Sequence, residues 1–303
     1  MFNQEFLLNA SKHIEVKSIA TDLTFIKSLV TKALVRIKKT IPNAVVETYI
    51  HGSYANATNI FFPSNLEVCV ELKLPKYEYS LTGDYYVNHE LDYGPREFRQ
   101  DLFDAINEQV ESPDASCKLN KQCIVVPKHK TLMHVAEITP CVEFVLTDDN
   151  GGEQKGILVH DAKIEKDIPT FPILHQKHGQ TKDVRCEGNF KKFVRMFKTI
   201  KAIAGRENKN DEYLGRPVRG YFIECLIYNV PDSLFHGVDL HDGFLKIMNY
   251  LAHIDIKTFQ CQNHVWDLIG SAGEFWNEKD ANAFVTAMKI FYREFPKNRT
   301  NLA

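Results

Sequence analysis

A Gly-Ser pair and a strand with an acidic face lie close together in residues 49–72, YIHGSYANATNIFFPSNLEVCVEL. Gly52 permits a tight turn in which backbone N–H groups approach an anion, and the Ser53 hydroxyl adds a donor. Downstream, Leu66, Val68, Val70 and Leu72 alternate with Asn65, Glu67, Cys69 and Glu71. A period of two puts the second set on one face of a strand. Carboxylate and amide oxygens on one face are hard ligands for divalent cations. Turn and strand together suit a place where a phosphate and a divalent cation meet. The blander account is a common turn followed by a strand whose acidic face is simply solvated. For Glu71, farther along, the solvated edge position is the expectation.

The stretch resembles the signature of the DNA-polymerase-β-like nucleotidyltransferases, in which a Gly-Ser pair and a spacer of about ten residues precede two acidic residues one apart on a strand. Here the pair is Gly52-Ser53 and the acidic positions fall on Asn65 and Glu67. The wider phrase, residues 52–72, is most similar to the cGAS-like branch, the CD-NTases that make nucleotide second messengers. The departure is at Asn65, a neutral amide where the family carries a carboxylate. The resemblance implies a third carboxylate, and Glu137 in HVAEITPCVEF matches it, three residues before Pro140. The implied catalytic and metal-binding set is therefore Asn65, Glu67 and Glu137, with Mg²⁺ as cofactor and Mn²⁺ as an alternative. The implied fold is α+β: a polymerase-β-like core, a mixed sheet with helices, packed on a helical C-terminal lobe.

The same resemblance implies a basic helix that supplies a lysine to a triphosphate. In NFKKFVRMFKTIKAI, Lys198 and Lys201 are its candidates, with Lys198 preferred, opposite Gly52 and Ser53. A serine often precedes aromatic-x-x-Glu in the next helix of that branch. Here the segment is Gly220-Tyr221-Phe222-Ile223-Glu224, so the serine position holds Gly220. Residues 95–106 and 275–288 also look like family segments. The implied substrates are nucleoside triphosphates and the product a cyclic or linear oligonucleotide signal, in anti-phage or innate defence. The reading leaves room for an activating ligand or an effector protein, and leaves nucleic-acid contact open.

Nucleotidyl transfer of this type uses divalent cations to activate a hydroxyl and hold the leaving pyrophosphate. An asparagine gives a carbonyl oxygen but no charge. Two cations against two carboxylates are under-compensated, so metal affinity and rate should fall. At this point the chain reads as a slow enzyme, a Mn²⁺-preferring one, an engineered Asp-to-Asn variant, or a silent nucleotide-binding or protein-interaction module on the same fold.

The elements that must position these residues can be read from periodicity. Residues 3–40 read as helical and 45–51 as a strand into the turn. Residues 65–74 form the acidic strand, stopped by Pro75, and 92–110 a helix entered at Pro95. Strands follow at 122–126, 134–144 and 157–159, with a turn at 148–152. From 189 the pattern is helical, with Phe190, Phe193, Val194, Phe197, Ile200 and Ile203 on one face and Lys191, Lys192, Arg195, Lys198 and Lys201 more exposed. Further helices are expected at 221–229, 244–253, 261–269 and 280–295. A linker is expected within 160–189, between a core at 1–165 and a helical lobe at 166–303.

Tyr54, Tyr93 and Tyr221 could stack on a base, though buried aromatics are the commoner case. His175, His178 and Cys186 lack the tight pairing of a zinc site. The 303 residues are 44% apolar and 25% charged with net charge −2, ordinary for a globular chain and no polyanion-binding tail. The start lacks a signal peptide's basic and apolar regions, and no run approaches a membrane span of about 18 residues. Seven cysteines without a framework favour reduced thiols in the cytoplasm.

Overall fold

The structure is a computed structural model that describes residues 4–15, 18–61, 65–80, 85–86, 93–110, 116–128, 131–147, 152–207, 219–270 and 277–294. The turn expected at 148–152 falls almost wholly outside these residues, as does the start of 275–288. The elements, in chain order, are α1 (Gln4–Ser11), α2 (Ile19–Ile37), β1 (Val46–Ile50), α3 (Gly52–Ala55), β2 (Leu66–Ser80), β3 (Tyr85–Tyr86), α4 (Pro95–Val110), β4 (Lys118–Leu119), β5 (Ile124–Val126), β6 (Ala136–Thr147), β7 (Glu153–Asp161), β8 (Lys166–Thr170), α5 (Pro172–Arg185), α6 (Asn189–Glu207), α7 (Gly220–Tyr228), α8 (Leu240–Leu251) and α9 (Glu278–Glu294). They fall into two compact units, Glu15–Tyr54 with Ser64–Ile173, and Met1–Ile14 with Ala55–Pro63 and Leu174–Ala303. These interleave, whereas the sequence expectation was a single cut at 165/166.

The first unit is an 8-stranded mixed sheet with the path β1-β2-β6-β5-β4, β3 on β2, and β7 and β8 continuing from β6. Strands β2 and β6 are parallel, and β1 lies antiparallel to β2. Leu66, Val68, Val70 and Leu72 are all fully buried, as the alternation requires. Helices α2 and α4 contribute Ile26, Leu29, Val30 and Ile37, and Phe98, Leu102 and Ile106, each set at helical spacing and buried.

Pro140 sits inside β6, where a missing N–H is normally excluded from a central strand. It falls at a seam: β5 pairs with β6 up to Ile138, and β7 takes over from Val142. Pro75 does not stop β2, which runs on to Ser80. Its register against β6 instead shifts between Leu72 and Tyr77, an irregularity of the kind that tolerates proline.

The second unit is helical. Phe190, Phe193, Val194, Phe197 and Ile200 of α6 are buried among Phe6 and Leu7 of α1, Phe222, Ile223 and Leu226 of α7, Phe244 and Ile247 of α8, and Phe284 of α9. Gly243 allows the α6–α8 approach, since a Cβ there would meet Phe193 Cζ at 2.4 Å.

Four sequence expectations are corrected here. The first helix is two, α1 and α2. The linker expected within 160–189 narrows to the boundary between the units at Ile173/Leu174, because β7, β8 and α5 occupy most of that stretch, with Pro172 at the helix start, where its missing N–H costs nothing. Residues 261–269 are not helical, because the Asn263 side chain accepts from the backbone N–H groups of Val265 and Trp266, and Gln260 bridges to Asp267. Finally, of the cations expected on an exposed face of α6, only Lys192 is exposed. Lys191, Arg195, Lys198 and Lys201 are buried at 7–8% exposure. The seven cysteines are free and buried. No helix among the described residues is long and apolar enough to cross a membrane.

Candidate active site

The sheet unit brings together Gly52, Ser53, Asn65, Glu67 and Glu137. Glu67 and Glu137 are direct register partners on parallel strands, so both carboxylates project from the same face. Gly52 has φ +66°, in the left-handed region, and a Cβ there would lie 1.7 Å from Glu67 Oε2. Only glycine meets both conditions. The Glu67 carboxylate thus lies against the turn, where the Ser53 backbone N–H donates to Oε2 at 3.2 Å. Asn65 Nδ2 donates to Glu137 Oε1 at 2.7 Å, so the amide neutralises nothing but fixes the Glu137 side chain.

His51 closes the face from β1's end. Its backbone N–H donates to the Glu67 carbonyl at 3.0 Å, and its Nε2 is buried without a hydrogen-bond partner. Burial favours the neutral imidazole, but the Cys69 thiolate and the Glu67 and Glu137 carboxylates outweigh it and push His51 up to about 9. Farther along, Glu71 is not the solvated edge residue expected. It is 3% exposed, accepts from Tyr49 Oη at 3.0 Å and pairs with Lys73.

Among the described residues no three His, Cys, Asp or Glu side chains gather into a metal cluster. The oxygen-donor set for a cation is therefore two carboxylates and the Asn65 amide, whose oxygen turns toward them only if the bond to Glu137 is given up. This fits a hard divalent ion in donor type, with one charge fewer than three carboxylates would give. The residues considered for zinc are otherwise engaged: His175 Nε2 meets Glu224 at 2.7 Å, and His178 stacks on His264.

The helical unit holds Lys198, Lys201 and Tyr221. Lys198 Nζ forms an ion pair with Glu224 and donates to Thr58 Oγ1 at 3.1 Å. Gly220 makes room for it, since a Cβ at that position would meet Lys198 Nζ at 3.0 Å. Tyr221 stacks on His175 with centroids 4.8 Å apart. Glu224, for which no role was expected, is the hub. Burial favours its neutral form, yet the Lys198 charge and the His175 bond hold it well below the usual carboxylate range. Its signal was present as the glutamate of aromatic-x-x-Glu. Its partners, over a hundred residues away at Asn56 and Thr58, left no signal.

A family model for the cGAS/DncV-like nucleotidyltransferase C-terminal helical domain matches residues 177–293. The chain is 30% identical over 270 residues to a cyclic nucleotide synthase, CdnE01, of Staphylococcus haemolyticus, covering 82% of this chain and 86% of that one. It belongs to the cGAS/DncV-like nucleotidyltransferases. A cyclic UMP-AMP synthase of Rhodothermus marinus is 27% identical, over 82% of this chain and 84% of the relative. The solved structure of the Rhodothermus marinus CdnE c-UMP-AMP synthase with Apcpp and Upnpp has a TM-score of 0.82 at 22% identity, over 99% of each chain, so the two share a fold. In this cGAS/DncV-like chain the helical-domain match begins at 177, whereas the compact helical unit also takes in residues 1–14 and 55–63.

Proposed function

We propose that the protein is an active nucleotidyltransferase that joins nucleoside triphosphates into a cyclic or linear oligonucleotide second messenger, in the cytoplasm and in the service of anti-phage or innate defence. The observation that carries this is the Glu67–Glu137 carboxylate pair, set side by side on β2 and β6 against the Gly52-Ser53 turn, in a chain of this family. Relatives named as cyclic nucleotide synthases support it, as does a shared fold with a synthase solved with Apcpp and Upnpp.

Glu67 and Glu137 would hold divalent cations, Mg²⁺ or Mn²⁺, with the Asn65 carbonyl as a neutral third donor. Bound there, such ions lower the pKa of the attacking hydroxyl and hold the triphosphate and its leaving pyrophosphate. Ser53 offers a hydroxyl to the triphosphate, and the Gly52 turn lets backbone approach it. Lys198 and Lys201 are the proposed cations of the nucleotide site, and Tyr221 a proposed base platform. Lys198 would reach a phosphate only by loosening its pair with Glu224. An activating ligand or effector protein fits the same reading.

The test is incubation of the purified chain with the four ribonucleoside triphosphates and Mg²⁺ or Mn²⁺, followed by mass spectrometry. Oligonucleotides that vanish in Glu67→Ala are the expected result. Triphosphate binding without any product under either metal would instead mark a silent nucleotide-binding module.

A further inference from the structure

Residues 56–61 follow the Gly52–Ala55 turn without regular structure, yet side chains of the helical unit hold the stretch from Ala55 to Thr58 in place. Asn56 Nδ2 donates to Glu224 Oε2 at 2.9 Å and Thr58 Oγ1 to Glu224 Oε1 at 2.6 Å. Gln176 Nε2 donates to the Ala55 carbonyl at 3.0 Å, and Arg195 Nη1 to the Ala57 carbonyl at 2.6 Å. Ala57 has φ +54°, a left-handed conformation that a non-glycine residue keeps only when its surroundings enforce it.

Glu224 is the centre of this enforcement. Each of its oxygens accepts twice: Oε1 from Thr58 and Lys198, Oε2 from Asn56 and His175. A carboxylate at 3% exposure is tolerated only when so fully paired. Such an arrangement costs more than an apolar contact would, and it specifies geometry more sharply. What it specifies is the path of the chain immediately after Ser53.

We propose that Glu224 is a positioning residue for nucleotidyl transfer: by holding Asn56 and Thr58 it fixes the chain that leaves the Gly52–Ala55 turn, and so sets Ser53 against Glu67. The inference rests on the function proposed above. The Glu224 carboxylate bonds to Asn56, Thr58, His175 and Lys198. It acts through chain connectivity, because Ser53 bonds Glu67 through its backbone N–H and cannot shift without disturbing that carboxylate.

The experiment uses the full chain and spares the buried ion pair. Thr58→Val and Asn56→Ala each remove one arm to Glu224, Thr58→Ser restores a hydroxyl, and Phe284→Leu serves as a core control. Amide hydrogen exchange at residues 53–55, melting temperature, and kcat and KM for triphosphate are read together. Thr58→Val and Asn56→Ala should raise exchange at 53–55 and lower kcat by about tenfold or more, with KM moving by less than about threefold. Thr58→Ser should behave as wild type, and Phe284→Leu should lower the melting temperature without changing exchange at 53–55. Unchanged exchange in Thr58→Val, or an equal rise in the Phe284→Leu control, overturns the proposal. A wild-type chain that makes no product overturns the function instead, and the exchange measurements still decide the role of Glu224.

Discussion

At Asn65 a neutral amide stands beside two carboxylates. It donates to Glu137 and holds that carboxylate in place. Asn65→Asp would set like charges at that spacing, so the metal-free protein should melt lower. Divalent cations relieve the repulsion, so the gain in melting temperature on adding Mn²⁺ should be larger than in wild type. An equal or smaller gain would show that Asn65 is not a weakened ligand position. Glu224 gives a second expectation at this scale. Its folded pKa is held below the ordinary glutamate value of 4.5, so its stabilisation is present above that pH and is lost as pH falls toward the folded value. Urea midpoints should therefore drop below about pH 4.5 in wild type and follow a flatter acid limb in Glu224→Gln. A wild-type acid limb no steeper than the variant's would remove Glu224 from the acid response. The shared face of Asn65 and Glu67 was legible from strand alternation, while Glu137 came only from the family resemblance; the strand pairing sets it beside Glu67. Glu224 was visible as a letter, but its work was not, because it depends on partners distant in sequence.

Among elements, the α3 turn is the most constrained. Gly52→Ala forces a Cβ into the left-handed region, costing about 1–2 kcal/mol from backbone alone, and drives it onto the Glu67 carboxylate. Activity should disappear while a cooperative melt survives at lower temperature. A variant with wild-type turnover would show that Glu67 need not rest on the turn. Helix α6 answers differently. Lys198→Ala leaves Glu224 buried without its counter-ion and should destabilise by about 3–5 kcal/mol in denaturant titrations, whatever it does to triphosphate affinity. A loss below about 1 kcal/mol would mean that the ion pair is not kept in solution. Strands β1, β5 and β6 and helices α4 and α7 to α9 were close to their expected places, because periodicity and Pro95 are strong local signals, whereas β3, β4 and β8 were not expected and β2 runs past Pro75. The burial of the α6 cations was not readable. A helix with one clear apolar stripe reads as half-solvated, and only tertiary acceptors such as the Ser11 and Ala57 carbonyls, which bind Arg195, show otherwise.

For the whole molecule, the interleaving of the two units matters most. The helical core contains Phe6 and Leu7, both fully buried, and its polar centre needs Asn56 and Thr58. A fragment of residues 174–303, although it contains the whole stretch matched by the family model, should therefore lack a cooperative thermal transition and expose apolar surface to dye. A sharp melt of that fragment would show that α1 and residues 55–63 are dispensable. The α+β class was legible because strand and helix patterns segregate along the chain. The interleaving was not, since neither short stretch carries a composition that marks its destination.

The same arrangement sets an order of events on the ribosome. The sheet unit is complete in sequence once residue 173 has emerged, while α1 and residues 55–63 are still waiting for helices not yet made. Until α6 and α7 arrive, Asn56, Thr58 and the Ala57 carbonyl lack their partners. The nascent chain thus carries a formed acidic strand face beside an unanchored turn, and the helices made after residue 173 fasten it. Ribosome-stalled chains ending soon after residue 173 should protect β2 and β6 from protease while leaving 55–63 open to cleavage.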